Sequence, residues 1–164
     1  MPNTHANDLP SLAGVLAPMV ARFPRRQQRL LIAWAERQAA GRYHSWAECV
    51  SEPDRAGFLS CVAREEEIAD RIEALDPDAA AIQQQLLAEL PDLEAQVEAV
   101  YADRSLEEQW EIQRRAERAG KKTWETFAAT ENDPQARAVL LVCAGLEDEN
   151  ASFLRSIVEK QGVG

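Results

Sequence analysis

The chain has 164 residues and a formal net charge of −10, with 28 acidic side chains against 18 basic ones. This charge excludes a nucleic acid as the expected partner, because binding to phosphate needs a basic face. The composition holds only 7 Gly and 8 Pro, is rich in Ala, Leu, Glu, Gln and Arg, and lacks alternating β-branched runs. It therefore excludes a sheet protein and predicts one all-α domain over residues 1–164.

Residues 1–25 form an N-terminal extension around the apolar stretch LPSLAGVLAPMVARFP, which Pro10 and Pro18 interrupt. The stretch is too short to span a membrane and has no basic segment in front of it, so we expect neither a membrane segment nor a signal peptide. A short helix lying against the rest of the protein is expected. A basic docking arm is the alternative, because residues 1–30 hold four Arg and one Asp, a net charge of +3.

Proline and capping residues divide the rest of the chain into helices. Residues 26–75 predict a first helical hairpin with a turn at SEPDR, and residues 105–160 predict a second hairpin with a turn at ENDP. The second hairpin begins with the capping-box pattern SLEE at Ser105. Residues 76–104 predict a long helical crossover, bent or broken at Pro91. The predicted helices cover residues 26–50, 54–75, 105–130 and 134–160.

The two hairpins are related in sequence. CVAREEEIADRIEAL, from Cys61, aligns with CAGLEDENASFLRSI, from Cys143, at an offset of 82 (143 − 61). ERQAAGRYHSWAECVSEP, from Glu36, aligns with ERAGKKTWETFAATENDP, from Glu117, at an offset of 81 (117 − 36). The chain thus predicts a duplication and a bundle with an approximate twofold axis.

The cysteines, Cys49, Cys61 and Cys143, form no Cys-x-x-Cys pair and no disulfide framework. Their number and spacing fit a reducing cytosol, so a cytoplasmic location is expected. Cys61 and Cys143 are expected to be small buried hydrophobes, and a close approach of the two is the alternative.

Each long helix carries one acidic residue on its apolar stripe: Glu36, Glu65, Glu117 and Glu147. A buried ionised carboxylate without a partner is very unfavourable, so four inward acids indicate a shared cation or shared protons. The only basic side chain on these stripes is Arg29, about two helical turns from Glu36. The alternative is that two or more of the acids lie at the bundle edge and reach water.

These residues resemble motifs of the ferritin-like superfamily, specifically the rubrerythrin-type four-helix bundle. Glu36 with Tyr43, and Glu117 with Trp124, match the Glu-to-aromatic spacing of its first and third helices, and EDENASFL is similar to its Glu-x-x-His-Ala stretch. The resemblance covers residues 36–75 and 117–157, about half the chain. It implies a pair of iron or manganese ions held by Glu36, Glu65, Glu117 and Glu147, with Asn150 as a further candidate ligand.

The chain departs from this family where the histidine ligands would stand, because Ile68 and Asn150 occupy those positions. Ile offers no ligand atom and Asn offers a neutral amide oxygen. Another alignment puts Glu66 in place of Glu65 and leaves the histidine missing. His5, in the N-terminal extension, and His44, on the flank of a stripe, are not expected to replace it. All-oxygen ligation favours manganese, magnesium or calcium, and a protein without bound metal is the alternative that stays open.

Two functions follow from these observations. The first is a non-enzymatic binding or interaction role for a bundle with a degenerate carboxylate site, including self-association as a homodimer. The alternative is a di-metal carboxylate oxidoreductase or metal-handling protein of the rubrerythrin type. No nucleophile-and-base arrangement, phosphate-binding glycine loop or zinc ligand set is present in the sequence, so a hydrolase or nucleotide-binding protein is not expected. A membrane is not an expected partner.

Overall fold

The computed structural model describes residues 8–162, and this range holds seven α-helices and no strand. The prediction of an all-α protein is confirmed. His5 lies outside the described residues. The helices are α1 (Leu12–Val20), α2 (Arg25–Glu48), α3 (Asp54–Glu73), α4 (Ala79–Glu89), α5 (Leu93–Tyr101), α6 (Leu106–Thr130) and α7 (Pro134–Gln161).

Local sequence explains where the long helices begin. At the start of α6, the Glu108 amide donates to Ser105 Oγ at 3.2 Å and the Ser105 amide donates to Glu108 Oε2 at 2.9 Å, which completes the predicted capping box. α7 begins at Pro134, and the side chain of Asp133 accepts a hydrogen bond from the Gln135 amide at 3.0 Å. These caps satisfy amides that have no partner within the helix.

Two helices end earlier than predicted. α2 ends at Glu48 and α3 at Glu73, each two residues before the predicted end. After α3 the Leu75 amide donates to the Ile72 carbonyl at 3.2 Å, a tighter three-residue spacing that closes the helix. Such ends depend on local hydrogen bonding, which the spacing of apolar residues does not report.

The crossover between the hairpins consists of α4 and α5. The break lies at Pro91, as predicted, since proline has no amide hydrogen to continue the helical ladder. Its apolar side chains are buried in the same core as those of the long helices: Leu86, Leu90, Leu93, Val97 and Val100. The crossover is therefore part of the hydrophobic core.

The four long helices pack side by side, α2 with α3, α6 with α7, and α3 with α7. Each of these pairs is antiparallel. Across α3 and α7, for example, Lys160 reaches Asp54 at 2.9 Å, whereas Arg64 reaches Asn150 at 2.6 Å. It follows that α2 and α7 run in one direction and that α3 and α6 run in the opposite direction.

Two apolar clusters fill the interior. In the first, Phe58 contacts four other aromatic rings, with ring centroids 5.1 to 6.3 Å apart: Tyr43, Trp46, Trp110 and Phe153. The second is built around Trp124 and Phe127. Cys61 belongs to the first cluster and Cys143 to the second, and both are buried, free thiols, as expected. Burial raises the pKa of each thiol to about 12.

α1 is the short helix predicted in the N-terminal extension. It lies against α2, α5 and α6, with Leu12 as its one fully buried side chain. Among the seven described helices, none combines the length and apolar character needed to cross a membrane.

Candidate metal centre

Four carboxylates from four different helices meet inside the protein. Glu36 comes from α2, Glu65 from α3, Glu117 from α6 and Glu147 from α7. Glu36 is 9% exposed, and the other three are at most 1% exposed. One oxygen each from Glu36, Glu65 and Glu147 lies within 4.8 Å of the other two. Glu117 lies beside them, and burial together with the negative charge of Glu117 raises the pKa of each of the three. We call these four side chains the carboxylate cluster.

The neighbouring acids of α3 differ sharply in position. Glu65 is fully buried, whereas Glu66 is exposed. The sequence alignment that pairs Glu65 with Glu147 therefore pairs two buried acids. The other alignment, which uses Glu66, would pair Glu147 with an exposed acid.

The carboxylate cluster is oriented by neutral hydrogen-bond donors. The Tyr43 hydroxyl and the Gln113 amide both donate to Glu117 Oε1 at 2.7 Å. The Trp124 indole donates to Glu147 Oε1 at 2.9 Å. All these side chains are buried, so the Glu117 and Glu147 carboxylates are each held in one orientation by packed partners.

The Asn150 amide orients Glu65. Its NH₂ group donates to Glu65 Oε1 at 2.6 Å, and its carbonyl oxygen accepts from Arg64 Nε at 2.6 Å. The amide oxygen that the sequence suggested as a ligand thus faces Arg64, on the other side from Glu65. Ile68, at the other histidine position of the family pattern, is fully buried among apolar side chains.

Two carboxylate oxygens in this cluster have no hydrogen-bond partner, Glu65 Oε2 and Glu117 Oε2. Buried polar atoms are almost always paired, and each unpaired one costs roughly 1–3 kcal/mol. Both carboxylates already accept hydrogen bonds on their other oxygen, so the free oxygens are held in place without being satisfied.

No ion pair neutralises the cluster within residues 8–162. Arg29, the base expected from the sequence, instead pairs with Glu131 at 3.0 Å. The nearest cationic influence on Glu36 is Arg42, whose guanidinium donates to Gln113 Oε1 at 3.2 Å and stacks over the Tyr101 ring. The four acids therefore lack a protein counterion in direct contact.

Burial changes the protonation of the cluster. Burial is the main reason that the pKa of Glu36 rises to about 7; the negative charge of Glu117 also raises it, and interactions with Glu65, Glu147 and Arg42 oppose the rise. The pKa values of Glu65 and Glu147 lie well above their ordinary values, first because of burial and then because of the surrounding carboxylates. Without a cation, Glu36, Glu65 and Glu147 hold protons at pH values where exposed Glu residues have lost them.

A cavity of about 280 Å³ leads from α1 to the cluster. Its walls are mostly apolar side chains of α1, α2 and α6, and Glu36, Glu117 and Glu147 line its inner end.

His44, the histidine within residues 8–162, takes no part in the site. It lies on the surface, 4.0 Å from Glu48.

Comparison of the chain with protein-family models, with curated proteins and with solved structures finds no match. The resemblance to the ferritin-like superfamily consequently depends on the residues of this chain alone.

Gly120 allows Glu147 to occupy its position. A Cβ atom on Gly120 would lie 2.5 Å from Glu147 Oε1 and 2.8 Å from its Cδ. We expect Gly120→Ala to displace the Glu147 carboxylate. If the cluster binds Mn²⁺, the substitution should weaken that binding at least about tenfold, an effect of about 1.4 kcal/mol or more. Isothermal titration calorimetry with Mn²⁺ measures this change.

Gly145→Ala is the matched control, because a Cβ on Gly145 meets no atom within 4 Å. Both glycines lie inside helices, so each substitution gains about 0.5–1 kcal/mol of helix propensity. Gly145→Ala is expected to raise the thermal midpoint and to leave metal binding unchanged. Equal metal affinity in the two variants would contradict the role assigned to Gly120.

Proposed function

We propose that this protein binds hard divalent cations at the carboxylate cluster, with Glu36, Glu65, Glu117 and Glu147 as ligands. The observation that carries the proposal is the pair of unpaired, buried oxygens on Glu65 and Glu117 in a cluster without a counterion. A cation bound there would satisfy these oxygens and balance charge that the protein leaves unbalanced.

The donor set favours particular cations. All four side chains offer carboxylate oxygens, which suit manganese, magnesium and calcium, and no imidazole or thiolate is among them. Iron is the further candidate that the family resemblance implies. We infer a metal-binding or metal-handling role, and the di-metal oxidoreductase of the rubrerythrin type is the alternative, since the histidine positions hold Ile68 and Asn150.

The arrangement of the helices supports a ferritin-like bundle as the finer description of the fold. In that family two antiparallel hairpins are joined by one long crossover. Here α2 and α3 form one antiparallel pair, α6 and α7 form the other, and α4 and α5 join them. The aligned acids of the two proposed repeats also occupy equivalent helices, Glu36 with Glu117 and Glu65 with Glu147.

Metal titration of the chelator-treated protein tests the proposed function. We expect at least one equivalent of Mn²⁺ per chain by calorimetry and elemental analysis, and an electron paramagnetic resonance spectrum distinct from that of free Mn²⁺. The same titrations with Mg²⁺, with Ca²⁺ and, under anaerobic conditions, with Fe²⁺ establish the order of affinity of the four cations. Binding well below one equivalent for all four cations would contradict the proposal.

A homodimer remains a second proposal, in keeping with the interaction role expected from the sequence. Leu59, Leu141 and Val142 are large apolar side chains with 39%, 51% and 41% exposure, and the last two are adjacent on α7. Light scattering over a range of concentrations tests it. A constant monomer mass up to high concentration would contradict self-association.

A further inference from the structure

The cavity beneath α1 has the shape and lining of a small-molecule site. Its volume of about 280 Å³ is close to the lower limit of known ligand pockets, roughly 300 Å³. α1 contributes mostly apolar side chains, and α2 and α6 contribute several small ones together with the larger Ile32 and Phe127. These wall residues include Leu12, Leu16, Val20, Ala39, Ala116 and Ala119.

The inner end of the cavity is polar, in contrast to its walls. Glu36, Glu117 and Glu147 line it, and Glu117 is 1% exposed with its Oε2 atom unpaired. A molecule that fills this cavity must therefore be apolar along its length and polar at one end. The carboxylates at the inner end are acceptors for a hydrogen bond from that end of the molecule.

The charges around the inner end select the head group. An anionic head would face carboxylates, and Arg42, the cationic side chain that lines the cavity, is engaged with Gln113 and Tyr101. An ammonium head would suit the metal-free cluster alone, since it would compete with a bound cation. A hydroxyl suits both states, because it donates to a carboxylate oxygen or directs its lone pairs to a cation.

We propose that the cavity beneath α1 binds an unbranched, medium-chain primary alcohol, with the alkyl chain along α1 and the hydroxyl beside Glu117. The alkyl part follows from the apolar walls alone, and the choice of a neutral head rests in part on the proposed metal site. Burial of the chain accounts for affinity, and the hydroxyl fixes its direction in the cavity.

Calorimetric titration with 1-octanol, on metal-free and Mn²⁺-treated protein, tests this proposal. We expect one molecule per chain in both states, with a negative heat-capacity change from apolar burial. Ala119→Leu fills part of the cavity from α6 and should weaken 1-octanol binding at least about tenfold. Ala129→Leu, the control, makes the same change at an exposed position of α6 outside the cavity lining and should bind as wild type does.

The outcomes separate this proposal from the metal site. Unchanged Mn²⁺ binding by Ala119→Leu shows that the variant is folded. Absence of 1-octanol binding in both states, or equal binding by wild type and Ala119→Leu, would overturn the cavity proposal even if Mn²⁺ binds. Tighter binding of octylammonium than of 1-octanol to metal-free protein would overturn the neutral head group. Alcohol binding without Mn²⁺ binding would leave the cavity proposal standing and overturn the metal site.

Discussion

The metal-free protein is expected to be less stable at pH 8 than at pH 5. Burial raises the pKa of Glu36 to about 7, whereas an unfolded Glu titrates near pH 4.3. Between these values the folded state binds more protons than the unfolded state, so the free energy of unfolding falls as pH rises. Glu36 alone accounts for about 3 kcal/mol, and Glu65 and Glu147 act in the same direction.

Urea unfolding of metal-free protein at several pH values between 5 and 8 measures this slope. Acids with lowered pKa values, such as Glu73 and Glu131, stabilise the fold above their unfolded pKa and lose that effect only at lower pH, outside this window. Glu36→Gln is expected to reduce the slope, and Glu66→Gln, at an exposed site, to leave it unchanged. A stability that is constant or rises from pH 5 to 8 would show that the cluster is not protonated as described.

Glu65→Gln is expected to have opposite effects on the metal-free and the metal-treated protein. At pH 8 the variant removes a buried acid and keeps the oxygen that accepts from Asn150, so the metal-free fold gains roughly 1–3 kcal/mol. The same change removes a proposed ligand. Wild type should gain about 2.7 kcal/mol from a cation at 100 times its dissociation constant, and the variant should lose most of this gain.

Thermal unfolding with and without Mn²⁺ measures both effects. For a chain of this length the metal-dependent gain corresponds to roughly 5–10 °C in the midpoint. Glu66→Gln makes the same chemical change on the exposed side of α3 and should retain the wild-type response to Mn²⁺. If both variants respond alike, Glu65 is not a ligand.

Much of the fold was predictable because its helices obey local rules. The capping box at Ser105, the break at Pro91 and the proline at the start of α7 each have a direct physical effect on the backbone, and each is found where the sequence placed it. The helical spacing of the apolar residues also indicated which acids turn inward. The ends of α2 and α3 were predicted less well, since they depend on a few hydrogen bonds.

The partners of the carboxylates were not predictable to the same degree. Arg29 has the right spacing to reach Glu36, yet it pairs with Glu131, more than 100 positions away in the chain. Gln113 did carry a signal, because it lies on the apolar stripe of α6 one turn before Glu117. The position of Arg64 against Asn150 depends on how α3 and α7 meet, and spacing within one helix contains no information about that contact.

The distribution of the carboxylate cluster over four helices also has a consequence for biosynthesis. Glu36 and Glu147 are separated by 111 positions (147 − 36), and no two of the four acids belong to the same helix. A partly synthesised chain that lacks α7 contains at most three of these acids. Under the proposed function, the complete set of four ligands forms only after α7 has been made and has docked, so full metal loading would follow translation and folding.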